Sequence, residues 1–217
     1  VLQADGGAGG RCTSSCGTGG GGSGGRIAVK ASASNTSTLS LSAKAGASRA
    51  ASGALGDNGG AGTLVTKNPG DPRYSLQIIS LSTPSAQILP FLSAVDIDTF
   101  TVSAGATAAF YTTYPSTFAK IIVQSGGLII HSSNTAGVKS NILNLYVQGD
   151  FDLQAGGTIS VTGKGYAGGP TTNTSGYGPS PGRGVTNFGG GGGAHAGMGG
   201  ESNSGVIGGY EVYGSND

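Results

Sequence analysis

Between residues 27 and 164 the chain alternates apolar and polar positions in short runs, the period of strands that bury one face. The runs are 27–31 (Ile-Ala-Val-Lys-Ala), 39–43 (Leu-Ser-Leu-Ser-Ala), 64–66 (Leu-Val-Thr), 76–81 (Leu-Gln-Ile-Ile-Ser-Leu), 97–102 (Ile-Asp-Thr-Phe-Thr-Val), 121–124 (Ile-Ile-Val-Gln), 143–147 (Leu-Asn-Leu-Tyr-Val) and 158–162 (Thr-Ile-Ser-Val-Thr). No segment sustains a 3.6-residue apolar period, so helix is predicted to be scarce. Three passages repeat one theme of strand end, polar residue, small turn and new strand: 102–106 (Val-Ser-Ala-Gly-Ala), 123–130 (Val-Gln-Ser-Gly-Gly-Leu-Ile-Ile) and 147–153 (Val-Gln-Gly-Asp-Phe-Asp-Leu). Their starts lie about 20 to 25 residues apart, the length of one coil of a parallel β-helix. Residues 126–131 and 156–161 repeat the turn-then-strand step. The reading is an all-β fold with a parallel β-helix-like (β-solenoid) core; short strands at such spacing also build an antiparallel β-sandwich, which stands as the alternative.

Composition divides the chain into a glycine-rich segment 1–26, the strand-bearing core 27–164 and a second glycine-rich segment 165–217. Glycine supplies 45 of 217 residues, and charged residues only 10%, far from an ordinary enzyme. A hydrophobic share of 36% and a net charge of +1 do not fit the rule for disorder, and clustered glycines without a strict third-position period exclude collagen. So even a charge balance leaves nucleic-acid binding without an electrostatic basis. No run of about 18 apolar residues predicts a membrane span. The lack of a basic start followed by an apolar core predicts that any leader has been removed or lies outside this stretch. A glycine run orders only when something offsets its entropy, and bare backbone lets extended, polyproline-II-like strands pair closely through their own amides. Tyr166, Tyr177, Phe188, His195, Met198, Tyr210 and Tyr213, interleaved with the C-terminal glycines, are anchors that pure linkers lack. An ordered glycine-rich layer against the β core is therefore expected.

Candidate chemistry is thin. Cys12 and Cys16 read as a local disulfide closing a short loop; zinc would need further ligands, and only His131 and His195 are on offer. Asp96 with Asp98, and Asp150 with Asp152, would each project to one strand face. Such pairs serve glycoside hydrolysis or calcium binding elsewhere, but a solvated strand face is the expectation here. His131 reads as a surface or turn residue. No nucleophile elbow or nucleotide loop stands in the right context, so no cofactor and no enzymatic activity are expected. Asn35 and Asn173, each in Asn-Thr-Ser, fit the N-glycosylation rule, and the Thr- and Pro-bearing stretches 112–117 and 170–175 could carry O-linked sugars. Covalent glycan would hydrate a sparsely charged exported chain.

The segments 156–169, opening Gly-Gly-Thr-Ile-Ser-Val-Thr-Gly, then 189–200 (Gly-Gly-Gly-Gly-Gly-Ala-His-Ala-Gly-Met-Gly-Gly), Tyr213 with Gly214, and 19–29 (Gly-Gly-Gly-Gly-Ser-Gly-Gly-Arg-Ile-Ala-Val) form a pattern. It resembles a class of large exported or cell-surface glycine-rich proteins with a β-helical stretch and polyglycine-rich flanks. The resemblance covers about 70 to 80 residues. It implies an extracellular or cell-surface location and a structural or adhesive role without a catalytic centre. In that class the segment matching 19–29 follows the others, whereas here it stands first. One unit's C-terminal segment would then precede the next unit's N-terminal one, in a tandem repeat or a linear homopolymer. The expected assembly interface is Gly19, Gly20, Gly21, Gly22 and Arg26 against Gly189, Gly190, Gly191, Gly192, His195, Tyr210 and Tyr213. The expected function is the structural subunit of an extracellular filament or surface fibril. The alternative is an adhesin or phage-fibre-type module recognising a glycan or protein; a carbohydrate-active enzyme is kept by fold analogy alone.

Overall fold

The computed structural model describes residues 1–10, 19–33, 39–49, 57–80, 85–90 (backbone only), 97–134, 138–169, 173–185, 190–194, 198–202 and 205–209. They form two compact units, one of Val1–His131 with Ile142–Ser160, the other of Ser132–Asn141 with Val161–Asp217. The first unit carries the strands: β1 (Leu2–Gln3), β2 (Arg26–Lys30), β3 (Leu41–Ser42), β4 (Gly62–Lys67), β5 (Tyr74–Ile79), β6 (Ser85–Pro90), β7 (Ile97–Val102), β8 (Ala106–Tyr111), β9 (Ser116–Phe118), β10 (Lys120–Val123), β11 (Leu128–His131), β12 (Leu145–Val147), β13 (Phe151–Leu153) and β14 (Thr158–Ile159). Among the described residues there is no helix. The strands lie in a six-stranded sheet, β13-β10-β7-β5-β4-β2, a four-stranded sheet, β14-β11-β8-β6, and two pairs, β12-β9 and β1-β3. All ladders are parallel except β4 with β5. The antiparallel sandwich is thus not what these strands build.

Three consecutive strands pair with the next three in order: β7 with β10, β8 with β11, and β9 with β12. Strands β13 and β14 then add to β10 and β11. The returns from β7 to β8, β10 to β11 and β13 to β14 are tight turns, each with one glycine in the left-handed region, Gly105 (φ 72°), Gly126 (φ 79°) and Gly156 (φ 85°). These turns stack: the Gly105 amide donates to the Gly126 carbonyl at 3.1 Å, and the Gly126 amide to that of Gly156 at 2.9 Å. The third copy of the repeat is therefore phased differently from the sequence reading. Val123 pairs with Leu153, whereas Val147 lies in β12 opposite Phe118. The excursion between β11 and β12 lengthens that copy and hides its true start.

The interior of the stack is filled by one phenylalanine from each of three successive strands, Phe100, Phe110 and Phe118, all fully buried. Phe100 and Phe118 stack with centroids 5.0 Å apart, and Phe110 meets them edge-on at 5.9 and 6.4 Å. Ala106 and Ala108 make room for these rings, and Ile78, Val102, Ile121, Val123 and Ile129 complete the cluster. Paired positions share a sheet face, so Phe151 and Leu153 continue the column of Ile121 and Val123. At β13 and β14 these positions are uncovered: Phe151 is 42% exposed, Leu153 48% and Ile159 38%.

Candidate functional site

The glycine-rich start of the first unit shows two hydrogen-bond periods in one pair of segments. Leu2 and Ala4 donate to Ser40 and Ser42, two residues apart, as in a β ladder; Gly6 and Gly9 then donate to Lys44 and Ala47, three apart on both sides. The three-residue step recurs where Gly21 and Gly24 donate to Asp57 and Gly60, and where Gly22 and Gly25 donate to Gly7 and Ala4, running the opposite way. A three-residue repeat differs from the two-residue period of a β-strand and equals the number of residues in one turn of a polyproline II helix. Such contact needs bare backbone on the inward side. A Cβ on Gly6 or Gly59 would overlap the Gly22 carbonyl oxygen, and one on Gly46 the Gly7 oxygen. Gly7 and Gly10, by contrast, face open space. Asp5 closes the border between the two periods. Its Oδ1 accepts the Ser42 hydroxyl at 2.6 Å and the Lys44 amide at 2.7 Å, which together hold its carboxyl below the ordinary 3.8 against a small opposing effect of burial.

The second unit repeats this chemistry. Gly192 donates to Gly200, Gly199 to Gly209, and Gly209 back to Gly192, so three segments close a triangle of backbone bonds. A fourth joins it through Gly191 donating to Arg183 and Ala194 to Ser180, again three residues apart on each side. A Cβ on Gly199 would overlap the Gly192 oxygen, and one on Gly208 the Gly199 oxygen.

Of the expected assembly residues, Gly19 and Gly21 are half-buried and Gly20, Gly22 and Arg26 exposed in the first unit; Gly191 is half-buried and Gly190 and Gly192 exposed in the second. Gly21, Gly22, Gly191 and Gly192 already use backbone groups within their own units, so any contact between copies falls to their outward sides. Gly189, His195, Tyr210 and Tyr213 lie outside the described residues, as do Cys12, Cys16, Asn35, Phe188 and Asp96. Asn173 is exposed, at a left-handed φ of 72° that asparagine tolerates better than most residues. Asp150 sits 3.3 Å from the Lys120 Nζ, Asp152 accepts from Gln154 Nε2, and Asp98 accepts from the Thr99 hydroxyl. These are surface contacts of strand faces.

His131 is a correction. It is the buried last residue of β11, opposite Phe110, and not a surface or turn residue. Alternation with Ile129 places it inward, a signal already present in Leu-Ile-Ile-His. Sequence reasoning also passed over Gly6 with Gly9 and Gly59 with Gly62, although their three-residue spacing is visible. Among the described residues no group of three His, Cys, Asp or Glu side chains is placed to hold a metal ion. No helix there is long and apolar enough to cross a membrane. Comparison with known proteins finds no matching family model, no matching curated protein and no matching solved structure.

Proposed function

We propose that this chain is a structural subunit of an extracellular filament or surface fibril. In this reading the parallel strands from β5 onward are coils of a β-helix, and the glycine-rich segments at both ends are polyproline-II-like layers. Successive subunits join head to tail, the C-terminal layer of one lying on the N-terminal layer of the next. The carrying observation is the three-residue backbone pairing, recurring in both units, at glycines where a Cβ would meet a carbonyl oxygen. Exposed glycines on the outer side of each layer, Gly7 and Gly10 in one and Gly200 in the other, leave backbone that a further strand can approach equally closely. Two surfaces that differ, joined by one repeated operation that does not close into a ring, give an open polymer.

Negative-stain microscopy of the native protein at rising concentration tests the reading, with end-to-end filaments expected. Removal of residues 165–217 is expected to leave the β core monodisperse. A full-length protein that stays monomeric at high concentration, or filaments unchanged by the truncation, would overturn it.

A further inference from the structure

The second unit contains a cavity of about 460 Å³ walled by four adjoining backbone segments. Their mutual placement is fixed by amides: Tyr177 donates to Ala167 at 2.9 Å, Gly176 to Gly182 at 3.2 Å, and Gly191 to Arg183 at 3.0 Å. The lining residues include Tyr166, Tyr177, Arg183, Val185, Asn173 and Thr174. Gly178 packs closely against Tyr166, since a Cβ there would stand 2.7 Å from the ring carbon Cδ2. Tyr177 is 39% exposed and offers its ring to solvent. Among the described residues the lining holds no carboxylate and no lysine. One cation among the described lining residues is too little to neutralise a phosphate chain, and these residues include no acidic ligand for a metal. Flat rings suit the C–H faces of a pyranose, while a guanidinium and an Asn side chain suit its hydroxyls. Asn173 is also the acceptor of the Asn-Thr-Ser motif, and it stands exposed in the cavity wall.

We infer that this cavity is a saccharide-binding site, its rings and Arg183 seating one or two neutral sugar residues. The sugar comes either from a glycan linked to Asn173 itself or from a separate glycan. The inference stands apart from filament formation, because it is read on the unassembled chain.

Two measurements on the full chain test it. Trypsin releases residues 165–183 as one peptide, bearing Asn173 and both tyrosines, whose mass shows whether native protein carries sugar there. Ring NMR signals of Tyr166 and Tyr177 are then compared between native protein and Asn173→Asp, which removes the acceptor while keeping a residue that tolerates left-handed backbone. The sugar-free chain is titrated with N,N′-diacetylchitobiose and with cellobiose. A sugar-bearing peptide with ring signals that shift in Asn173→Asp assigns the site to the chain's own glycan. A bare peptide with ring signals moved by either disaccharide assigns it to a separate glycan. In that case Tyr177→Ala, or Arg183→Gln should the first disturb folding, weakens binding about tenfold, and Tyr146→Ala on the first unit leaves it unchanged. Ring signals indifferent to both attached and added sugar would overturn the inference, whatever microscopy shows of filaments.

Discussion

Exchanging hydrogen for methyl at two neighbouring glycines should move stability in opposite directions. Gly46 is buried, and a Cβ there would overlap the Gly7 oxygen while standing 2.7 Å from the Gly7 carbonyl carbon and 2.8 Å from the Gly6 oxygen. The obstacles are backbone, which no rotamer change can clear. Relief requires the 6–7 segment to retreat, which breaks the Gly22-to-Gly7 bond and pulls on the Gly46-to-Gly22 bond, both 2.8 Å long. At about 0.5–1.5 kcal/mol each, their loss makes Gly46→Ala about 1–3 kcal/mol less stable. For a chain of this size the melting temperature then falls by about 2–12 °C. Gly7→Ala adds the same methyl where nothing lies within 4 Å and the backbone is not left-handed. It should gain about 0.4–1 kcal/mol through a less flexible unfolded chain. Differential scanning calorimetry of both variants beside the parent separates the outcomes. Equal melting temperatures, or a Gly7 variant weaker than the Gly46 variant, would show that bare-backbone contact does not hold this layer together.

Phe100→Ala empties the centre of the three-ring cluster and should cost about 3–5 kcal/mol, read as a lost or greatly lowered first-unit transition. Gly126→Ala places a side chain on left-handed backbone (φ 79°) in the middle of the turn stack and should cost about 1–2 kcal/mol in urea titration. Asp5 has a depressed folded-state value, so its contribution is fully present above the unfolded value of 3.8 and fades as pH falls through the lower folded one. Melting temperature between pH 6 and 2 should therefore show an acid-side loss that Asp5→Asn removes.

Strands β5 and β10 were legible because one face meets the core and the other is more exposed, whereas β2 alternates with its half-buried Ile27 and Val29 on the face opposite Ile78. Strand β8 was not legible, since Ala-Thr-Ala-Ala-Phe-Tyr is buried almost throughout and its small residues mute the alternation. Those alanines are small because Phe100, Phe110 and Phe118 need the volume, a three-dimensional reason with no local trace. Leu39 read as strand yet stands exposed outside β3, which holds only Leu41–Ser42. Glycine spacing of three was legible in principle at 6 and 9, 21 and 24, and 59 and 62, but surrounding glycines disguise it. The cavity of the second unit was illegible, because its walls come together only through backbone bonds between segments that sequence cannot register.

The proposed joining through glycine must be weighed against the two outer strands of the six-stranded sheet, β13 and β2. The registers answer this. Leu153 pairs with Val123, Val123 with Val102, Val102 with Ile78, Ile78 with Thr63, and Thr63 with Arg26, so Arg26 shares a sheet face with Leu153. By the same alternation Lys30 lies on that face too. Continuing the sheet by translation would set both cations against the exposed Phe151 and Leu153, and burying them there is unfavourable. Charges on β2 thus guard the sheet against edge-to-edge growth, whereas a glycine layer has no side chains to mismatch. Replacing Arg26 and Lys30 together by Leu removes the guard. Covering Phe151 and Leu153, each about half exposed, then contributes about 1 kcal/mol apiece on top of new backbone bonds. Light scattering should register sheet-edge association of the double variant even after residues 165–217 are deleted. A truncated double variant as monodisperse as the truncated parent would mean that the cations on β2 guard nothing.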